Sequence, residues 1–243
     1  MPRDKNLLKD LFLNKTSNLK YICRKHFPDR HLSTVTKRVN KLFTEGYINK
    51  IGIHDRGIYE KVYSVTPQGL QAIRTDFPRK LIRKECQSIN LEHDLELTDI
   101  REKFLTSDSV GVIKSENELQ SFEIDQGIDI YGPFQRLNSD IYFTLLTNGK
   151  EFNVASEYEN TPKELKRWSK YLLNYHLENK VDAVFYICRN HVIAKSLMNL
   201  ERELIKSFTP KIYFCTLEKF KSNDGSVDFE NARGKKFTFN FQQ

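Results

Sequence analysis

A chain of 243 residues with 39% hydrophobic and 12% aromatic content is long enough to build two compact domains with real cores. Its apolar runs stop well short of the roughly 20 residues that cross a bilayer, so no membrane insertion is expected, and Met1-Pro2-Arg3 does not begin as a signal peptide does. The net charge of +7 is uneven: residues 1–88 carry 19 Lys/Arg against 8 Asp/Glu, whereas the remainder carries 20 against 24, so the N-terminal part is the one suited to nucleic acid or an acidic membrane surface.

The first helix is expected over Asn6 to Asn14, with Leu7, Leu8, Leu11 and Phe12 on its apolar face. A second is expected over Ser17 to His26, with Leu19, Ile22 and Cys23 inward, ended by Phe27-Pro28-Asp29. A third runs from about Leu32 to Glu45 with Val35, Val39, Leu42 and Phe43 apolar, and Gly46 closes it. Thr34, Thr36, Lys37, Asn40 and Lys41 occupy its opposite face. Tyr47 to Ile53 and Ile58 to Val65 then read as two strands flanking His54-Asp55-Arg56-Gly57, and Thr66-Pro67 starts another helix. Three helices followed by a two-stranded ribbon resemble a winged helix-turn-helix domain, placed at residues 1–76. That resemblance puts the third helix in the DNA major groove, where Thr34, Thr36, Lys37 and Asn40 would read base edges while Lys41, Lys50 and Arg56 hold phosphates. The same lysines also suit an ordinary solvated face on a domain that binds protein.

Residues 77–90 are basic and open on Phe77-Pro78, which marks a linker to a second domain over 91–243. There a helix is expected over Leu91 to Leu105, a short strand over Val110 to Lys114, and then two strands joined by Thr147-Asn148-Gly149-Lys150, a tight hairpin signal. Parity puts Asp140 with Tyr142 and Thr144 on one face of the first strand, and Glu157 with Glu159 on one face of the second, about 7 Å apart at roughly 3.3 Å per residue. Thr161-Pro162-Lys163-Glu164 has the N-cap, first-turn proline and third-position glutamate of a helix start, which sets Lys163 in the first turn of a helix burying Leu165, Trp168, Leu172 and Tyr175. Apolar strands over Val181 to Cys188 and Lys211 to Leu217, separated by a helix over His191 to Phe208, predict a mixed α/β sheet covered on both faces.

Acids on two adjacent strands with a lysine beside them can hold Mg²⁺ or Mn²⁺ through hard oxygen ligands next to a phosphodiester. The same spacing suits a solvated acidic hairpin face with a normally capped helix. Cys23, Cys86, Cys188 and Cys215 are widely spaced, which favours buried thiols in a reduced, cytoplasmic protein over disulfides or a zinc site. None of the six histidines forms a His-x-His pair, and no Gly-rich phosphate loop or Gly-x-Ser-x-Gly elbow occurs.

The series Leu91-Glu92-His93-Asp94, Lys114-Ser115-Glu116, Asp140 and Glu157-Tyr158-Glu159-Asn160-Thr161-Pro162-Lys163 resembles the nuclease half of plasmid replication-relaxation and mobilisation proteins. In layout the chain is similar to the MOBC-class plasmid relaxases. The resemblance implies an α/β (α+β) chain in which a winged helix precedes a restriction-endonuclease-like, PD-(D/E)XK domain. It implies a metal-dependent endonuclease that nicks one strand of double-stranded DNA at a plasmid transfer origin, with an accessory protein and a coupling protein as relaxosome partners. Asp140 and Glu157 then match metal ligands, Glu116 is a further candidate ligand, and Glu159 stands where the restriction-enzyme motif has its lysine. Lys163 becomes the catalytic lysine, with Lys166 and Lys170 as alternatives farther along the helix, so that the implied catalytic set is Asp140, Glu157, Glu159 and Lys163. The competing expectation is a non-catalytic DNA-binding replication or regulatory protein whose acids are a remnant.

Overall fold

The structure, a computed structural model, describes residues 2–55, 58–77, 81, 90–121, 130–204, 206, 209–222 and 225–242, with the backbone alone for 53–55, 58 and 59. It is mixed α/β, with one small antiparallel sheet and one larger mixed sheet. The chain divides into two compact units, residues 1–99 with 120–123 and residues 100–119 with 124–243. Most of the expected linker lies outside the described residues.

The first unit opens with α1 (Pro2–Asn14), four residues earlier than the apolar pattern predicts. A two-residue strand β1 (Ser17–Asn18) follows, where helix was expected, because both residues pair with a later strand. Asn18 then caps α2 (Leu19–His26), its Oδ1 accepting from the Tyr21 N–H at 2.9 Å. Helix α3 (Leu32–Thr44) ends as its sequence predicts: Gly46 takes φ +77°, its N–H reaches the Phe43 carbonyl, and the Tyr47 N–H reaches that of Leu42. This pair of bonds satisfies carbonyls that the helix end leaves open. Strands β2 (Ile48–Asp55) and β3 (Ile58–Val65) form the expected ribbon, in the sheet order β1-β3-β2. Thr66 caps α4 (Pro67–Ile73), which a short 3-10 turn (Arg74–Asp76) continues. Leu7, Leu11 and Phe12 meet Ile22, Val35, Val39, Leu42, Ile48 and Val65 in the core. Phe43 is not among them. It lies at the edge of the α3 stripe, 41% exposed.

Next come α5 (Leu91–Phe104), β4 (Val110–Ser115), α6 (Glu116–Ser121), α7 (Gly132–Leu137), β5 (Ile141–Thr147), β6 (Lys150–Glu159), α8 (Leu165–Leu177), β7 (Ala183–Cys188), α9 (His191–Leu204), β8 (Ile212–Thr216), α10 (Leu217–Lys221), β9 (Ser226–Asn231) and β10 (Lys236–Asn240). The seven strands from β4 to β10 lie side by side in chain order. Strands β6, β7 and β8 run parallel, and every other neighbouring pair is antiparallel. The hairpin between β5 and β6 is the two-residue turn its sequence demands. Asn148 and Gly149 have φ of +51° and +69°, and Thr147 pairs with Lys150.

Alternation along the central strands fills both faces with apolar groups. Tyr142, Ala155, Val184, Tyr186 and Phe214 pack with Trp168, Leu172 and Tyr175 of α8 and with Ile193 and Leu197 of α9. On the other parity, Phe143, Phe185, Phe229 and Phe239 join Phe104 and Phe220 in an aromatic cluster with ring centroids 4.8 to 6.3 Å apart. Cys188 and Cys215 are buried thiols, Cys23 is half-buried, and Cys86 lies outside the described residues.

Candidate active site

The antiparallel register between β5 and β6 brings the acids together. Ile141 pairs with Ser156, so continuing the register by one residue sets Asp140 opposite Glu157. The Tyr158 N–H, 2.8 Å from the Asp140 Oδ2, holds that carboxylate at the strand end. On the other side Ser115 pairs with Ile141, and the Glu116 N–H donates to the Asp140 carbonyl at 2.7 Å. Glu116 at the start of α6, Asp140 just before β5 and Glu157 in β6 therefore stand in one row where β4, β5 and β6 lie side by side. Among the described residues, no three His, Cys, Asp or Glu side chains are gathered closely enough to ligate one ion.

Glu157 keeps some accessible surface, but its carboxylate is closed in. Burial, reinforced by the Asp140 charge, pushes its carboxyl well above the ordinary value near 4.5. The Tyr175 hydroxyl, the Lys163 charge and the Asp140 backbone oppose that shift. Tyr175 donates its hydroxyl hydrogen bond to the Glu157 Oε1, and its oxygen also lies 2.7 Å from the Ser139 Oγ. Tyr175 and Tyr186, both buried near these acids, are themselves held well above the usual phenol range by burial first.

Glu159 shares the Glu157 face but has different company. Only 4% exposed, it accepts on Oε2 from Lys163 Nζ at 2.6 Å and from Trp168 Nε1 at 3.0 Å. Lys163 is thus beside the acids, but not in the first turn of a helix. Helix α8 starts at Leu165 with Glu164 before it, Thr161 makes no cap, and Lys163 reaches Glu159 from the preceding loop. A cap contributes only about 1 kcal/mol, so the local signal yields to the buried anchor. Leu165, expected inside, is 63% exposed. Helical side chains lean toward the N-terminus, so the first residue projects past its own helix.

Two residues of α8 were expected only as packing and carry site contacts. Trp168 and Tyr175 lie seven apart on one face, and buried indole and phenol groups require polar partners. That rule was the available signal, but the partners' identities depend on the sheet register.

On α3, Thr34, Lys37, Asn40 and Lys41 are exposed together. Thr36 is half-buried and its hydroxyl donates to the Leu32 carbonyl at 2.8 Å, which removes it as a free reader of bases. Lys41 approaches Glu45 at 3.7 Å, an exposed pair of little strength, and the Lys50 ammonium lies 4.7 Å from the centroid of the Phe43 ring. Arg56 lies outside the described residues. Arg38, which no sequence pattern singled out, is tied to the buried Asp4, its Nε donating to Oδ1 and its Nη2 to Oδ2.

Comparison with protein-family models, curated proteins and solved structures gives no match to this chain. No helix among the described residues is long and apolar enough to cross a membrane.

Proposed function

We propose that this chain is a metal-dependent DNA endonuclease that nicks one strand, of the kind that starts plasmid transfer. The reading is carried by the register that sets Asp140 against Glu157, with the Lys163 charge felt at the same carboxylate. Two hard carboxylates fit Mg²⁺ or Mn²⁺, because such ions are commonly held by one or two protein carboxylates plus water and substrate phosphate oxygens. Asp140 and Glu157 would hold the ion, with Glu116 as the acid next in the row. When bound, the metal supplies an activated nucleophile and neutralises charge on the phosphodiester. Lys163 would place its ammonium on a phosphate oxygen, and Tyr175 orients Glu157.

Binding fits the first unit, in which the ribbon and the exposed Thr34, Lys37, Asn40 and Lys41 support a winged-helix reading and DNA as the partner. Restriction to a plasmid transfer origin, and the accessory and coupling partners, rest on the motif resemblance, and a cytoplasmic setting rests on the widely spaced cysteines. A non-catalytic DNA-binding replication or regulatory protein is the second reading. It is favoured by the engagement of Lys163 with a buried acid.

The deciding assay incubates supercoiled plasmid carrying the transfer origin with protein and Mg²⁺ or Mn²⁺, beside Asp140→Ala and Lys163→Ala. Open-circular product is expected from the wild type with metal and not from either variant. Specific binding with no nicking in either metal would select the second reading.

A further inference from the structure

We infer that Glu159 and Trp168 are positioning residues that fix Lys163 beside Glu157, an inference that rests on the nuclease reading above. In the restriction-enzyme pattern the strand itself supplies a lysine two residues after the acid, whereas here that position is Glu159. The cation comes instead from a loop four residues on and is returned to the strand by the 2.6 Å contact with the Glu159 Oε2.

Three observations make this contact a built device rather than a surface ion pair. The Glu159 side chain is 5% exposed, and a buried carboxylate left without a cation is strongly unfavourable. Trp168 Nε1 donates to the same oxygen from α8, so the carboxylate is fixed from the helix that follows the loop as well as by its strand. The Lys163 side chain keeps 31% exposure, so an ammonium with three donors can bond Glu159 and still offer donors outward. A lysine stem is otherwise costly to order, because a long flexible side chain gives up much rotamer freedom. Lys163 also lies 5.8 Å from the centroid of the Tyr171 ring, a second restraint on its head. Glu159 thereby differs in role from Asp140 and Glu157: it holds the lysine and is not a metal ligand.

The test uses full-length protein and the variants Glu159→Gln and Trp168→Phe, each checked for folding by circular dichroism. Brief acylation with acetic anhydride, read by mass spectrometry, compares Lys163 with Lys166 and Lys170, which are exposed on α8. Loss of the clamp should raise relative acylation of Lys163 several-fold in both variants. In nicking assays kcat should fall by about 10- to 100-fold while KM for DNA stays within twofold, as for other residues that orient a reacting group. Should Glu159→Gln fail to fold, Trp168→Phe keeps the ring and loses only the N–H. Wild-type acylation and kcat in a folded variant overturn the clamp. A wild-type protein that does not nick overturns the nuclease reading, and with it the purpose of the clamp, whatever the acylation pattern.

Discussion

At the residue scale the dominant feature is a like-charge pair held at the end of two strands. Directly opposed acids on adjacent strands are unfavourable, and enclosing one of them makes the ionised form costlier still. Glu157 therefore binds more protons in the folded chain than in the unfolded one at any pH between about 4.5 and its raised value. Its contribution to stability is present below that window and is lost as pH rises through it. The prediction is that Glu157→Gln, melted in EDTA from pH 4 to pH 8, gains Tm relative to the wild type as pH rises. A difference that stays constant across the series would mean that Glu157 ionises in the fold as it does in the unfolded chain. The neighbours that hold this carboxylate, Tyr175 and through it Ser139, were legible only as apolar or small residues, because a hydroxyl's partner is set by tertiary distance.

Among the elements, local rules succeeded where backbone geometry is demanding. Asn148-Gly149 had to take positive φ at both positions to close a two-residue hairpin, and Gly46 had to turn left-handed to end α3. Helix α4 contains a further demand that its sequence did not announce. A Cβ at Gly69 would lie 2.1 Å from the Tyr47 carbonyl oxygen and 2.8 Å from a Val65 methyl, so α4 approaches the ribbon through the missing side chain. Gly69→Ala is expected to destabilise the first unit by about 1–3 kcal/mol despite the better helix propensity of alanine, which chemical denaturation would measure. Unchanged stability would mean the ribbon retreats at no cost. The loop over 160–164 shows the opposite balance. Its capping signature is strong, yet the Lys163–Glu159–Trp168 contacts hold the chain out of helix until Leu165.

For the whole molecule, charge is the property most directly tied to a partner. The excess of 19 basic over 8 acidic residues lies in positions 1–88, and part of it is spent internally: Arg38 on Asp4, Lys5 on Asp76, Lys25 on Asp10. Lys37 stays exposed on α3, so it is the better phosphate contact. Lys37→Ala should weaken DNA binding across sequences and lower the slope of log K against log salt by about 1, as fluorescence anisotropy between 50 and 200 mM salt would show. An unchanged slope would remove α3 from the DNA interface.

By itself the sequence determined most of the helices and strands up to Thr216, the hairpin with its turn, and the mixed α/β class, because periodicity, caps and positive-φ residues act over a few neighbouring positions, whereas β1, α7, α10, β9 and β10 were not legible in it. It also singled out Asp140, Glu157, Glu159 and Lys163, since parity on a strand is local. Only the tertiary structure decided that Asp140 faces Glu157, that Glu159 holds Lys163, and that Trp168 and Tyr175 complete the acids' environment. Those pairings depend on strand register and on the docking of α8, which residues distant in the chain fix by burying apolar surface together.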